Sequence, residues 1–327
     1  MIRGLAIALL PLLWPAAEGL AAAATGPAAS AAESLGFAPD ERLLIIHADD
    51  FGMSHSVNRA TAQALTQGSV NSASVMVPCP WVLEAAEFCR THPDADIGIH
   101  GTLTSEWRRY RWRPVLPFDD VPGLIDPEGY LWHDVAGAAA HATADEVERE
   151  LRAQVRRAMD LGIRPTHLDT HMGTVFARPE FFRAYRKVAR EFDLPCLLPR
   201  PPAELLERTD PAMRSTIENI VAELGSNAEY TLDELISIPG DVPPDRQEEF
   251  YLEAIRNLKP GITQIIIHCG IDDPELQAIC GSHRRRDMDT KVFTGPRVQE
   301  LLKAERVRLI TWREIGRRQK ATAPPRS

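Results

Sequence analysis

The chain has 327 residues, 44% of them hydrophobic and 25% charged, the composition of a protein that folds over most of its length, with room for one large α/β domain or two ordinary ones. Its formal charge of -9 argues against non-specific binding to nucleic acid or anionic lipid, because both present negative surfaces. The five cysteines, Cys79, Cys89, Cys196, Cys269 and Cys280, contain no CxxC pair, so a structural zinc is not expected and the thiols read mainly as small core residues.

Residues 1–24 differ in kind from the rest of the chain. Arg3 gives a positive start, Leu5 to Trp14 an apolar core, and Ala21 to Ala24 small-residue cleavage options, which together predict a secretory signal peptide and an exported, periplasmic or secreted, product. Pro11 and Pro15 interrupt a run already short for a bilayer, and no membrane span is expected after cleavage. Residues 25–40, rich in Ala, Ser and Pro, read as a flexible tether, 41–316 as one folded domain, and 317–327 as a disordered tail.

Within the domain, Leu43 to Ile46 is an apolar run ending in His47-Ala48-Asp49-Asp50-Phe51-Gly52, a strand that delivers two acids to its C-terminal end. Ser54 to Leu65 reads as a helix, Ser69 to Val77 as a strand, Trp81 to Arg90 as a helix and Ala95 to Leu103 as a third strand. Ser105 to His141 has no sustained period and reads as a long loop, either functional or disordered. Thr143 and Glu146 form a capping box opening a helix that Gly162 ends, followed by a short strand at Pro165 to Asp169. A helix from Pro179, strand candidates at Leu194 to Leu198, Leu235 to Ile238 and Thr263 to His268, a polar insertion over Asp272 to Asp289, a helix from Pro296 and a strand at Val307 to Thr311 complete the chain. The pattern predicts an α/β fold, an irregular (β/α) barrel of about seven to eight parallel strands in a single domain; an open doubly wound sheet has the same local signals.

Polar groups sit where four of these strands end: Asp49 with Asp50, His100, the set His167, Asp169 and His171, and His268. In a parallel barrel all strand C-termini open on one face, so these groups converge in space. A lone histidine at a strand end is usually a satisfied core residue, but several together with an acidic pair point to a metal or acid/base site. One carboxylate with two histidines suits Zn, Mn, Fe or Ni, with Mg also allowed, and leaves coordination positions free for water and substrate.

The motifs themselves are specific. His47-Ala48-Asp49-Asp50-Phe51-Gly52 resembles the opening Asn-Ala-Asp-Asp-Phe-Gly of the YdjC-like (ChbG/HpnK-type) carbohydrate deacetylases. Gly98-Ile99-His100-Gly101-Thr102-Leu103-Thr104 is similar to their Gly-Val-His-Leu-Thr-Leu-Thr, Pro165-Thr166-His167-Leu168-Asp169-Thr170-His171 to their third motif, and His268-Cys269-Gly270 to their His-Pro-Gly. The resemblance runs from about Arg42 to Thr311. It implies an irregular (β/α) barrel, removal of N-acetyl groups from small amino sugars, and one divalent metal ion, Mg, Zn or similar. By position, Asp50, His100 and His171 are then the ligands, Asp49 the general base and His268 the general acid, with His167 and Asp169 orienting His171. His47, Gly101, Met172-Gly173 and Cys269 depart from the family pattern beside that centre.

Weaker signals surround it. Trp107, Tyr110 and Trp112 lie in the long loop, where aromatic faces either stack on sugar rings or anchor the loop. Arg285, in the run Arg284-Arg285-Arg286, is a candidate contact for an anionic substrate group, against the plainer reading of a solvated loop. The expected partner is an acetylated sugar, and the sequence leaves a homodimer open. The competing readings are another metal hydrolase on the same barrel, acting on an ester or cyclic amide, and a secreted sugar-binding protein. Retention of both a base and an acid argues against the binding protein.

Overall fold

Strand β1, Arg42–Phe51, is the expected apolar run, and the sheet is laid out from it. The computed structural model describes residues 30–200, 211–224 and 230–322; the signal peptide expected over 1–24 and the end of the expected tail lie outside the described residues. Strand β6, Gly261–Ile267, pairs with β1 from Arg42 to Ala48. On the other edge, β7, Arg308–Leu309, covers Leu43 and Leu44, and β2, Ser72–Val75, covers the distal half from His47 to Phe51. Strands β3, Ile97–Gly101, and β4, Leu168–Thr170, continue beyond β2, and β5, Glu234–Ser237, lies beyond β6. Every pairing is parallel, so the strand C-termini share one face, as a (β/α) barrel requires.

The Leu194 to Leu198 candidate is not a full strand. It contributes single parallel bridges, Leu168 to Cys196 and Pro199 to Leu232, which carry the pairing from β4 towards β5. Pro195 lies within it and Pro199 follows it, and neither has an N–H to extend a ladder.

Alternation along β1 divides the core. Leu44, Ile46 and Ala48 pack under the helices with Val57 and Ala60, whereas Leu43 and Ile45 join Leu197, Leu232, Ile262, Ile310 and Trp312 inside the ring. His47 and Asp49 continue that inner column.

Three expectations are corrected here. From Ser30 onward the expected tether is packed: Ser30 and Glu33 form a capping box, and Ala32, Leu35 and Phe37 are buried in the inner cluster. The Asp233 carboxylate accepts the N–H groups of Ala31, at 2.6 Å, and Ala32, at 3.2 Å, so this turn seals the end of the barrel where the strands begin. The expected tail starts as helix, Trp312–Thr322, with the Arg318 guanidinium 3.7 Å from the Phe37 ring centre. The polar insertion is two helices, Pro274–Ile279, capped by Asp273, and His283–Thr294. The segment from Ser105 to His141 is largely irregular, ending in the helix Val135–His141, yet it is firmly held. Glu150 accepts the N–H groups of Val115 and Leu116, and Arg111 pairs with Asp126 at 2.7 Å. Among the described residues, no helix is long and apolar enough to cross a membrane.

Candidate metal centre

In a regular strand Asp49 and Asp50 face opposite sides. Here the β1–β2 ladder shifts register between Ala48 and Phe51, and Asp50 has φ 69. This left-handed conformation is one that aspartate tolerates better than most side chains, and it swings Asp50 to the same side as Asp49. Backbone in a sparsely populated region tends to persist where function holds it. At the end of β4 the chain turns equally sharply, with positive φ at Met172 and Gly173, just after His171.

Three atoms meet above these strand ends. Asp50 Oδ1 lies 3.5 Å from His100 Nε2 and 3.4 Å from His171 Nδ1, and the two ring nitrogens are 3.2 Å apart. Donors about 2.0–2.1 Å from one ion are separated by about 3.0 Å at a right angle and about 3.4 Å at the tetrahedral angle, so the triangle has the dimensions of a coordination shell. Asp50 Oδ1 is buried without a hydrogen-bond partner, which is costly for a carboxylate oxygen unless a cation completes it. The donor set fits a divalent ion.

Each of the three residues is held by its other end. The Asp169 carboxylate accepts from His100 Nδ1 at 2.6 Å, Glu106 from His171 Nε2 at 3.0 Å, and Arg286 donates to Asp50 Oδ2 at 2.6 Å. Carboxylates behind metal-binding histidines fix ring orientation and raise ligand basicity. Burial alone would raise the Asp50 pKa, but Arg286 and the two histidines hold it well below the usual carboxylate range. Burial opposes charge on both rings; Asp169 and Asp49 nevertheless hold His100 well above its ordinary value, and Glu106 and Asp50 lift His171 to about 9.

Asp49 borders the triangle. Its Oδ2 is 3.8 Å from both His100 Nε2 and His268 Nε2, and burial raises its pKa to about 6. Burial also lowers His268, to about 3, with Arg286 reinforcing the shift against Asp50. The five expected strand-end residues, Asp49, Asp50, His100, His171 and His268, therefore do converge.

The supporting residues are arranged differently from expectation. Asp169 orients His100 and reaches His47, at 3.0 Å, rather than His171. His167 faces away from His171: its ring stacks on Trp312 at 5.0 Å and it bonds Thr166. The residue behind His171 is Glu106, which closely follows the second motif in sequence.

Among the candidate substrate contacts, Trp112 is buried, donating its indole N–H to the Thr104 carbonyl, so it anchors the loop and is not open to a sugar. Tyr110 bonds the Met53 carbonyl, and Trp107 stays partly exposed with the Arg286 guanidinium 5.7 Å from its ring centre. Arg285 is turned away, donating to the Pro239 and Val242 carbonyls. Its neighbour Arg286 is the arginine at the centre. Helical spacing could have found it, since Arg286, Asp289, Thr290 and Phe293 form one buried face. The five cysteines are all free.

The geometry can be set beside known proteins. The sequence profile of the YdjC-like protein family matches residues 43–304. A carbohydrate deacetylase of Thermus thermophilus is 33% identical over 276 residues, covering 84% of this chain and 94% of its own. A chitooligosaccharide deacetylase of Citrobacter koseri is 35% identical over 161 residues, covering 47% of this chain and 60% of its own. A crystal structure from Enterococcus faecalis, provisionally described as a cellobiose-phosphate cleavage protein, superimposes with a TM-score of 0.68 at 25% identity, covering 83% of this chain and 98% of its own. The profile match takes in β1 to β6 and with them every strand end that builds the centre; the chain belongs to the YdjC-like protein family.

Proposed function

We propose that this chain is a divalent-metal-dependent carbohydrate deacetylase, removing N-acetyl groups from amino sugars or small oligosaccharides. The observation that carries the proposal is the triangle of Asp50 Oδ1, His100 Nε2 and His171 Nδ1, each pinned from behind, with Asp49 at its edge. The substrate class follows from the relatives described as carbohydrate and chitooligosaccharide deacetylases.

An ion held by Asp50, His100 and His171 would polarise the acetyl carbonyl and activate the attacking water. Asp49, raised to about 6, is mostly ionised at neutral pH yet basic enough to accept the proton of that water. His268 is neutral in the resting chain, so it protonates the leaving amine only after taking up a proton. Asp49 Oδ2 is the carboxylate oxygen facing it, at 3.8 Å. The proton accepted from water thus has a route through Asp49 and His268 to the amine nitrogen, as the C–N bond breaks and acetate leaves.

The test is a panel of N-acetylated mono- and oligosaccharides and of acetyl esters, assayed with and without chelator. Acetate should be released from N-acetyl sugars, stop with chelator and return with added divalent ion. Activity confined to the esters would replace this reading, and sugar binding without turnover would favour a binding protein. His100→Ala and His171→Ala should each lose metal content and activity together; full metal occupancy in both would place the ion elsewhere.

A further inference from the structure

His47 is the inner-column residue beneath Asp49, fully buried, and nothing in the proposed reaction yet uses it. Its Nδ1 is 2.9 Å from Ser72 Oγ. Its Nε2 is 3.0 Å from Asp169 Oδ2, 3.3 Å from Asp49 Oδ1 and 3.1 Å from Ser74 Oγ. Ionised carboxylates can only accept, so the proton on this ring lies at Nε2, between them, whether or not Nδ1 is also protonated. Two carboxylates buried this closely repel unless a donor separates them.

The two oxygens it touches matter because of what their partners do. With Oδ1 of Asp49 at ion-pair distance from His47, 3.3 Å from Nε2, the oxygen left facing the centre is Oδ2, the one 3.8 Å from His100 and His268. With Oδ2 of Asp169 held, Oδ1 is left to orient His100. One ring thus fixes the orientation of the proposed base and the support of a proposed metal ligand. The supports around it are rigid: His47 meets the His167 ring edge-on at 5.1 Å, and His167 is stacked on Trp312.

We propose that His47 is a positioning residue, setting the carboxylate plane of Asp49 for proton abstraction and tying that setting to His100 through Asp169. This rests on the deacetylase reading for its kinetic consequence, though not for its geometry. His47→Leu fills most of the volume without a donor, His47→Phe keeps a ring there without a donor, and His47→Gln returns a donor near the Nε2 position.

In metal-loaded protein, His47→Leu should lower kcat ~10–100-fold, with KM changed less than about threefold and one ion retained per chain, since positioning groups act on the transition state more than on binding. His47→Gln should recover most of the loss. If the leucine variant does not fold, His47→Phe replaces it, with a similar fall in kcat expected. Wild-type kcat in the folded donor-free variant overturns the proposal, as does a loss that glutamine does not repair. A readout independent of turnover is nitrogen NMR of the histidine rings. The His47 Nε2–H signal should shift in Asp49→Asn and again in Asp169→Asn, and a ring indifferent to both overturns the proposal. Absence of acetate release from wild type, with this NMR coupling present, would instead refute the deacetylase reading and leave the positioning geometry standing.

Discussion

A carboxylate or imidazole has two polar ends, and at Asp50, His100 and His171 one end faces the centre while a charged neighbour holds the other. The arrangement makes the neighbours testable. Glu106→Gln keeps an oxygen for His171 Nε2 to donate to but removes the charge behind the ring, so metal affinity should fall ~10–100-fold with folding intact. Calorimetric titration with zinc checks this, and unchanged affinity would detach Glu106 from the ligand set. Asp49→Asn should retain metal and sugar affinity while turnover falls ~10²–10⁴-fold, the usual contribution of a positioned base. Metal content, sugar binding and acetate release are measured on one preparation, and near wild-type release removes Asp49 from the mechanism. Convergence of these residues was legible from sequence because strand ends in a parallel sheet share a face. How Asp49 and Asp50 both reach the site was not, because it depends on a register shift and one left-handed residue that alternation alone does not foretell.

The helix His283–Thr294 shows what is lost when a charged stretch is read as solvated loop. Its inner face carries Arg286 to Asp50 and, one turn on, Asp289 to the backbone N–H of His268, at 2.9 Å. Asp289 also accepts from Tyr251 and Gln247, yet burial raises its pKa to about 6. Because the folded value lies above the unfolded one, the stabilisation is complete below about pH 4 and is lost as pH rises to about 6, a change of about 3 kcal/mol. Urea unfolding of metal-free protein at pH 4 and pH 7 should show this, and Asp289→Asn should flatten the difference. An unaltered pH dependence in the variant would assign the effect to other groups. In the long segment after β3 the aromatic residues suggested either a sugar platform or an anchor, and Trp112 is core, with the loop hanging from it. Residue type alone does not separate a stacking surface from an anchor.

Across the whole molecule the barrel interior is layered. Leu35 and Phe37 close the lower end, Leu43, Ile45 and Trp312 lie above them, His47, His167 and Asp169 come next, and the triangle of Asp50, His100 and His171 opens at the top. The strands and their order along the chain were legible because each apolar run is punctuated by Gly, Pro or a cap. The lower seal was not, because a short Ala- and Ser-rich turn has no period and gains its order only from the barrel it covers. We infer from the apolar run at Leu5 to Trp14 that the chain is exported. Mass spectrometry of protein from its source should then find a mature start near Ala22 to Thr25 outside the cytoplasm, and an intact Met1 on cytoplasmic protein would sink that inference. The seal also gives the molecule a polarity. Whatever precedes Ser30, whether a lipid anchor, a fusion partner or an affinity tag on a sensor surface, is attached at the pole opposite the triangle. A chain immobilised by its N-terminus would therefore hold its mouth towards the bulk, open to a polymer too large to diffuse beneath it.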